Sequence, residues 1–150
     1  MPRIKINETV PFTAQQMYDL VVDVDRYPEF LKWCVATRKL SESENAFEAE
    51  MTVMFKGVRE KFRTRDELVP GRQVDIKLLS GPFHHLDSQW IFTPVGTGGE
   101  RTRIDFMIDF KFRNPVLNMT LGPVFTVISK QMVGEYRKRA QHVYRDPTGS

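Results

Sequence analysis

The sequence predicts an α+β domain: an antiparallel, curved sheet of about six or seven strands wrapped around a long C-terminal helix, with two short helices after the first strand. Three observations predict it. Apolar and polar side chains alternate in long segments from Val35 to Arg113, the period of half-buried strands. The connections between those segments are short, and a parallel pair would need a crossover of about a dozen residues or more, so neighbours must run antiparallel. From Asn114 onward the apolar spacing changes to three- and four-residue steps, which places one face of a helix against a core.

Each element follows from its residues. Arg3 to Val10 alternates, with Ile4, Ile6 and Val10 apolar, and reads as a strand with one wet face. Thr13 is an N-cap for a helix through about Val22, striped by Met17, Leu20 and Val21. A second short helix is expected from about Val24 to Leu31, with Tyr27, Phe30 and Leu31 inward and Pro28 in its first turn. Strands follow at about Val35–Ser43, Phe47–Lys56, Val58–Val69, Gln73–Ser80, Asp87–Val95 and Arg101–Arg113. Glu44-Asn45, Lys56-Gly57, Pro70-Gly71, Gly81-Pro82 and Gly96-Thr97-Gly98-Gly99 punctuate them. Leu117, Leu121, Phe125, Ile128, Met132, Tyr136, Ala140 and Val143 make the closing stripe, and Gly122-Pro123 divides it into a short helix and a long one. A one-sided sheet needs a cover, and only that last helix is long enough.

Composition bounds the function. The chain has 150 residues, so one domain is expected over 1–150, with its core at about 3–145. It carries 22 Lys and Arg against 19 Asp and Glu, a net charge of +3. That excess is compatible with anionic lipid or RNA and demands neither; nothing points to DNA. A single cysteine, Cys34, excludes an internal disulfide framework. Met1 to Ile6 has no apolar h-region and no apolar run approaches the ~20 residues of a spanning helix, so a cytoplasmic protein is expected, at most peripheral on the inner membrane face.

Strand parity separates the faces. Phe47, Ala49, Met51, Val53 and Phe55 share one side, as do Val74, Ile76 and Leu78, then Trp90 and Phe92, then Ile104, Phe106, Ile108, Phe110 and Phe112. This Phe-, Met- and Trp-rich set either fills the space under the helix as a core or leaves an apolar cavity there. Arg59, Lys61, Arg63 and Arg65 stand in one column. They are either a solvated outer face paired with Glu48 and Glu50, or a ridge for lipid headgroups or RNA phosphate. Glu60, Thr64 and Asp66 share parity with Phe62; they point inward unless a bulge turns them out.

No catalytic constellation emerges. His84, His85 and Asp87 are expected in a loop, and with His142 far along the chain no metal-ligand cluster forms. Cys34 has no helper base nearby in sequence, Ser80 and Ser88 sit in no nucleophile-elbow motif, and the 96–99 glycines join two strands rather than open a helix. Binding is favoured over catalysis, and no metal or cofactor is expected.

Three blocks carry a family resemblance: Asp25-Arg26-Tyr27-Pro28-Glu29-Phe30-Leu31-Lys32-Trp33-Cys34, then Ser80-Gly81-Pro82-Phe83 with Leu86 and Trp90-Ile91-Phe92, then Met132 to Ala140. With the element order they resemble the coenzyme Q-binding START-like family, which is shared with the ribosome-association toxin RatA and lies within the polyketide cyclase/dehydrase and lipid transport superfamily. Lys32 stands where that family often has Pro, and Asp87-Ser88 where a Gly-containing turn is common.

The resemblance implies a helix-grip fold (START/Bet v 1-like) with a hydrophobic tunnel between sheet and helix. It implies non-enzymatic binding of ubiquinone or a similar polyprenyl lipid in support of respiratory electron transport. The candidate lining is Tyr27, Phe30, Leu31, Trp33, Met51, Val53, Phe55, Phe62, Trp90, Phe92, Phe106, Ile108, Phe125, Ile128, Met132 and Tyr136, with Tyr27 or Tyr136 bonding a polar head. The basic column and Arg137, Lys138 and Arg139 would hold the mouth at an anionic bilayer. The alternative implied is a RatA-like toxin on the large ribosomal subunit. An enzyme like the related cyclases would need polar groups deep in the tunnel, such as Glu60 or Asp66.

Overall fold

A computed structural model describes residues 3–144. Seven strands form one antiparallel sheet: β1 (Arg3–Val10), β2 (Cys34–Ser43), β3 (Ala46–Phe55), β4 (Val58–Val69), β5 (Gln73–Ser80), β6 (Phe83–Val95) and β7 (Arg101–Phe112). Their spatial order is β1-β7-β6-β5-β4-β3-β2. Every neighbouring pair from β2 to β7 is a hairpin. The first strand joins the last, with Ile4 opposite Ile108 and Ile6 opposite Phe106. β1 and β2 are therefore opposite edges, and helix α1 (Ala14–Val22) with a 3-10 helix (Val24–Glu29) carries the chain between them.

Local chemistry sets these elements. Thr13 and Gln16 form a reciprocal capping box at the start of α1: the Thr13 hydroxyl accepts from Gln16 N at 3.1 Å and Gln16 Oε1 accepts from Thr13 N at 2.9 Å. The segment expected as a helix from Val24 to Leu31 is a shorter 3-10 turn, with Pro28 near its end rather than in its first turn. Asn114 caps α2 (Pro115–Thr120), its Oδ1 accepting from Val116 N at 2.8 Å. The chain then breaks at Leu121 before α3 (Gly122–Val143), as the Gly-Pro pair predicts.

The sheet curls where its ladders slip. Irregularities interrupt β2 near Val35 and Leu40, the β4–β5 pairing at Leu79, and β6 near His84; such bulges bend a strand and raise its twist. His84 and His85 correct one expectation: they lie inside β6, which starts at Phe83 rather than Asp87, and His85 Nε2 meets Asp109 Oδ1 at 3.1 Å. At the β5–β6 corner the chain crosses close over β4. A Cβ on Gly81 would lie 2.4 Å from the Cβ of Phe62, and φ there is +143°, so only glycine makes this corner without strain.

The core sits between the inner face of the sheet and α1 and α3. Phe125 of α3 is its aromatic centre, with ring centroids 4.6 Å from Phe110, 5.6 Å from Phe83 and 5.8 Å from Phe55. The far end of α3 is tied to β1 by an ion pair between Arg137 and Glu8, and to α1 by Tyr144, whose hydroxyl donates to Gln16 O at 3.1 Å. No helix among the described residues is long and apolar enough to cross a membrane.

Candidate functional site

The interior is mostly filled, but not completely. A cavity of about 80 Å³ remains between the sheet and α3. Tyr27 and Trp33 close one side, Met51, Phe62, Trp90, Phe106 and Ile108 rise from the sheet, and Phe125, Met132 and Tyr136 descend from α3. All of these were expected in the lining. Val24, Ala49, Ile76 and Leu86 join them. They escape a sequence reading that weights bulk, because a small residue such as Ala49 makes room for a cavity rather than advertising it.

The remaining expected lining residues lie elsewhere, and the lining narrows accordingly. Phe30, Leu31 and Ile128 line an outer groove of about 180 Å³ between the Phe30–Trp33 segment and α3, together with Lys32, Gln131 and Glu135. Val53, Phe55 and Phe92 are buried in the core away from the cavity. Phe55 stacks on Trp33 with centroids 6.0 Å apart, and Phe92 stacks on Trp90 at 6.1 Å, so their partners stand nearer the hollow. Trp33 alone lines both the cavity and the groove.

The cavity wall is apolar on most sides and polar on one. Thr37, Glu50, Thr64, Asp66 and Ser88 reach it from β2, β3, β4 and β6, the Glu50 carboxylate being paired with Arg63 and Arg38. The irregularity beside β4 falls on β5, at Leu79, so the alternation of β4 is undisturbed and Asp66 points inward. It is only 3% exposed. Burial pushes its carboxyl up to about 7, against the smaller opposing effects of the Thr64 hydroxyl and the Lys39 ammonium. Thr64 Oγ1 donates to Asp66 Oδ1 at 3.0 Å. Glu60, of the same parity, is half-buried and does not reach the cavity. The tyrosines are occupied differently from expectation: Tyr27 donates its hydroxyl proton to the Val21 carbonyl, and its ring meets Tyr136 edge to face at 5.8 Å. Burial raises both phenols above their usual range.

Nothing here assembles an acid–base pair or a nucleophile. Asp66 has a threonine beside it, not a histidine or second carboxylate. Burial pushes the Cys34 thiol up to about 12, leaving it protonated at neutral pH. Among the described residues no three His, Cys, Asp or Glu side chains converge as metal ligands.

The basic groups divide. Arg63 and Arg65 pair across the strand with Glu50 at 3.1 Å and Glu48 at 3.7 Å. Arg59, Lys61 and Lys138 have no carboxylate within ion-pair distance among the described residues. Arg137 is held by Glu8, and Arg139 by Glu29 at 2.6 Å while also lying over the Phe30 ring. Those two guanidiniums therefore brace α3 internally, because β1 and the 3-10 helix pack against it.

Comparison with known proteins places this architecture. The protein is similar to the ribosome association toxin RatA of Pseudomonas aeruginosa, 38% identical over 141 residues that cover 94% of this chain and 96% of that one. It is similar to the mitochondrial coenzyme Q-binding protein COQ10 homolog B of Xenopus laevis, 32% identical over 95% of this chain and 60% of that one. The crystal structure of the Zhui aromatase/cyclase from Streptomyces sp. R1128 superposes with a TM-score of 0.82 at 17% identity, covering 99% of this chain and 98% of that one, which shows the shared helix-grip fold. Neither curated relative is named for a reaction, whereas the structural neighbour is. A family profile described as polyketide cyclase / dehydrase and lipid transport matches residues 10–136, and with the curved sheet, the long covering helix and the cavity between them, the chain belongs to that START-like family.

Proposed function

We propose that the protein encloses an apolar small molecule of the isoprenoid quinone class, ubiquinone or a similar polyprenyl lipid, between the sheet and α3, without catalysing a reaction on it. One observation carries the reading: an aromatic-walled cavity and an outer groove share Trp33 as a lining residue. Pockets for drug-sized ligands enclose roughly 300–1,000 Å³, so the present cavity of about 80 Å³ receives a long tail only if Trp33 swings and joins it to the groove. Met51 and Met132 on the wall are unbranched and adapt to such a change. The driving force is ample, since each buried CH₂ contributes about 0.8 kcal/mol. Such a carrier would support respiratory electron transport from the cytoplasmic face of the inner membrane.

The check is to extract the lipids of purified protein and to titrate delipidated protein with ubiquinone. We expect quinone to co-purify and Trp33→Ala to accelerate its uptake several-fold. Absence of quinone from the extract, with no binding of added ubiquinone, refutes the reading.

A carrier must reach the bilayer, and one end of the molecule suits that contact. Asn118 of α2 bonds Phe112 N at 3.2 Å, and Arg113 N donates to Pro82 O at 2.8 Å, which gathers α2, the end of β7 and the β5–β6 corner beside β4. Met119 is 77% exposed there and Val116 66%. From Lys111 to Gly134 the sequence holds Lys111, Arg113 and Lys130 and no carboxylate, and Arg59 and Lys61 stand on the neighbouring strand. Apolar side chains framed by cations fit an anionic phospholipid surface. Val116→Asp with Met119→Asp should abolish co-flotation with vesicles containing phosphatidylglycerol while leaving the fold intact; equal flotation of both proteins, or of neither, rejects this contact.

The second reading is RatA-like binding to the large ribosomal subunit. It is favoured by the near full-length similarity to a protein of that name and by Arg59 and Lys61, which have no carboxylate within ion-pair distance among the described residues. Cosedimentation with large subunits that survives moderate salt, and that Arg59→Glu with Lys61→Glu removes, supports it; association that vanishes with slight added salt is unspecific charge attraction.

A further inference from the structure

We propose that Asp66 and Thr37 form a hydrogen-bonding pole in the cavity that selects ligands presenting an uncharged carbonyl oxygen on an apolar body. This rests on the apolar-ligand reading and gives it a chemical preference. The argument begins with what the other polar groups on the wall already do. Ser88 Oγ donates to Met107 O at 3.0 Å. Tyr27 donates to Val21 O, Tyr136 is set against Tyr27, Thr64 donates to Asp66, and Glu50 is paired with Arg63 and Arg38. Two groups are left. The Thr37 hydroxyl is buried and has no hydrogen-bond partner. Asp66 has only its single bond to Thr64, with its second oxygen unpartnered among the described residues. Buried polar atoms are satisfied in most folded proteins, and an unpartnered hydroxyl together with a carboxyl that has a single bond, both on the wall of one hollow, marks where a ligand's polar atom belongs.

Charge defines the ligand's head. The groups around Asp66 from the packed elements are Lys39 of β2, Tyr27 of the 3-10 helix and Tyr136 of α3; β3 offers Ala49 and Glu50, whose carboxylate is held by Arg63 and Arg38, β5 offers Ile76 and β6 offers Ser88. Lys39 is drawn away to Glu42 at 3.3 Å and lies over the Phe47 ring. Among the described residues the cavity lining holds no guanidinium or ammonium, so a fatty-acid carboxylate beside a carboxyl group is disfavoured. A protonated Asp66 is a donor, and so is Thr37. Two donors on the wall of one apolar hollow match the two lone pairs of a quinone, ketone or ester carbonyl. Once Asp66 ionises, its donor is gone and the carboxylate repels the carbonyl oxygen.

Trp33 and Trp90 both line the cavity, so quenching of intrinsic fluorescence reads occupancy directly. The probes are a ubiquinone analogue with a ten-carbon saturated tail, and n-decylbenzene, which has the apolar body without the carbonyls. Titrations run at pH 5.5 and pH 8.5, with far-UV circular dichroism confirming that each protein is folded at both. We expect wild-type affinity for the quinone to fall at least tenfold between the two pH values, while decylbenzene binds equally at both. Asp66→Asn keeps a donor at every pH and should reduce the quinone slope to less than threefold. Thr37→Val should weaken quinone binding several-fold at both pH values and leave decylbenzene unchanged. Equal pH dependence for the two probes, or an undiminished slope in Asp66→Asn, overturns the pole while the apolar-ligand reading stands. Failure of both probes to bind at either pH overturns both.

Discussion

Replacing Phe125 by alanine is expected to cost about 3–5 kcal/mol of stability, the range for removing a buried phenyl ring without collapse of its surroundings. Phe125 is 3% exposed and meets the rings of Phe55, Phe83, Phe110 and Phe112. Those four come from β3, β6 and β7, so this one side chain ties α3 to strands on both sides of the sheet. The surroundings have little freedom to close in, because each neighbour is itself held in an aromatic pair: Phe83 stacks on Phe112 at 4.7 Å, and Phe55 on Trp33. In a domain of this size each kcal/mol moves Tm by roughly 2–4 °C. Urea denaturation and calorimetry should therefore show a fall in Tm on the order of 10 °C, with an m-value near that of the wild type. Phe125→Leu, which keeps most of the volume, should cost well under half as much. A loss below ~1 kcal/mol for the alanine variant would contradict the central place assigned to this ring.

The sheet, its faces and its covering helix were readable because they depend on period alone. Alternation in β3 and β7 fixes which side chains look inward whatever the strands pair with, and the stripe from Leu117 to Val143 does the same for the helices. The closure of β1 on β7 was not readable: Ile4 and Ile6 announce a half-buried strand, but its neighbour is chosen by tertiary packing more than a hundred residues away. The extension of β6 through His84 and His85 was hidden by the Gly-Pro corner, which resembles a loop that continues.

At the site, bulk and hydrophobicity drew out Trp33, Trp90, Phe106 and Tyr136, which the structure places around the hollow. They also drew in Phe92 and Val53, which share the inward face but lie under other side chains. The direction of Asp66 turned on which strand took the bulge, β4 or β5, and no residue type in either marks it. Arg137 and Arg139 look like surface cations in sequence; only the packing of Glu8 and Glu29 against α3 removes them from the basic surface.

Asp66 should also make the folded state less stable as pH rises through the slightly acidic range, the reverse of ordinary acid denaturation. Its carboxyl titrates near 3.8 when solvated and at about 7 in the folded chain. Between those values the native protein holds a proton that the unfolded chain has released, so stability falls with rising pH across that window and levels off above it. Each unit of separation corresponds to about 1.36 kcal/mol, giving a loss on the order of 4 kcal/mol from about pH 4 to about pH 8. The surface carboxylates act oppositely: the guanidiniums beside Glu29 and Glu50 hold them below the usual range, so their contributions are lost only as pH falls through the carboxylate range. These groups are solvent-screened and weak, which leaves Asp66 to set the slope above about pH 5. Urea midpoints measured from pH 5 to pH 8 should decline for the wild type and stay level for Asp66→Asn, whose amide has no proton to lose. A wild-type midpoint that is flat or rising over that range would mean that the carboxyl is solvated in the folded chain, which contradicts the buried position assigned to it on the cavity wall.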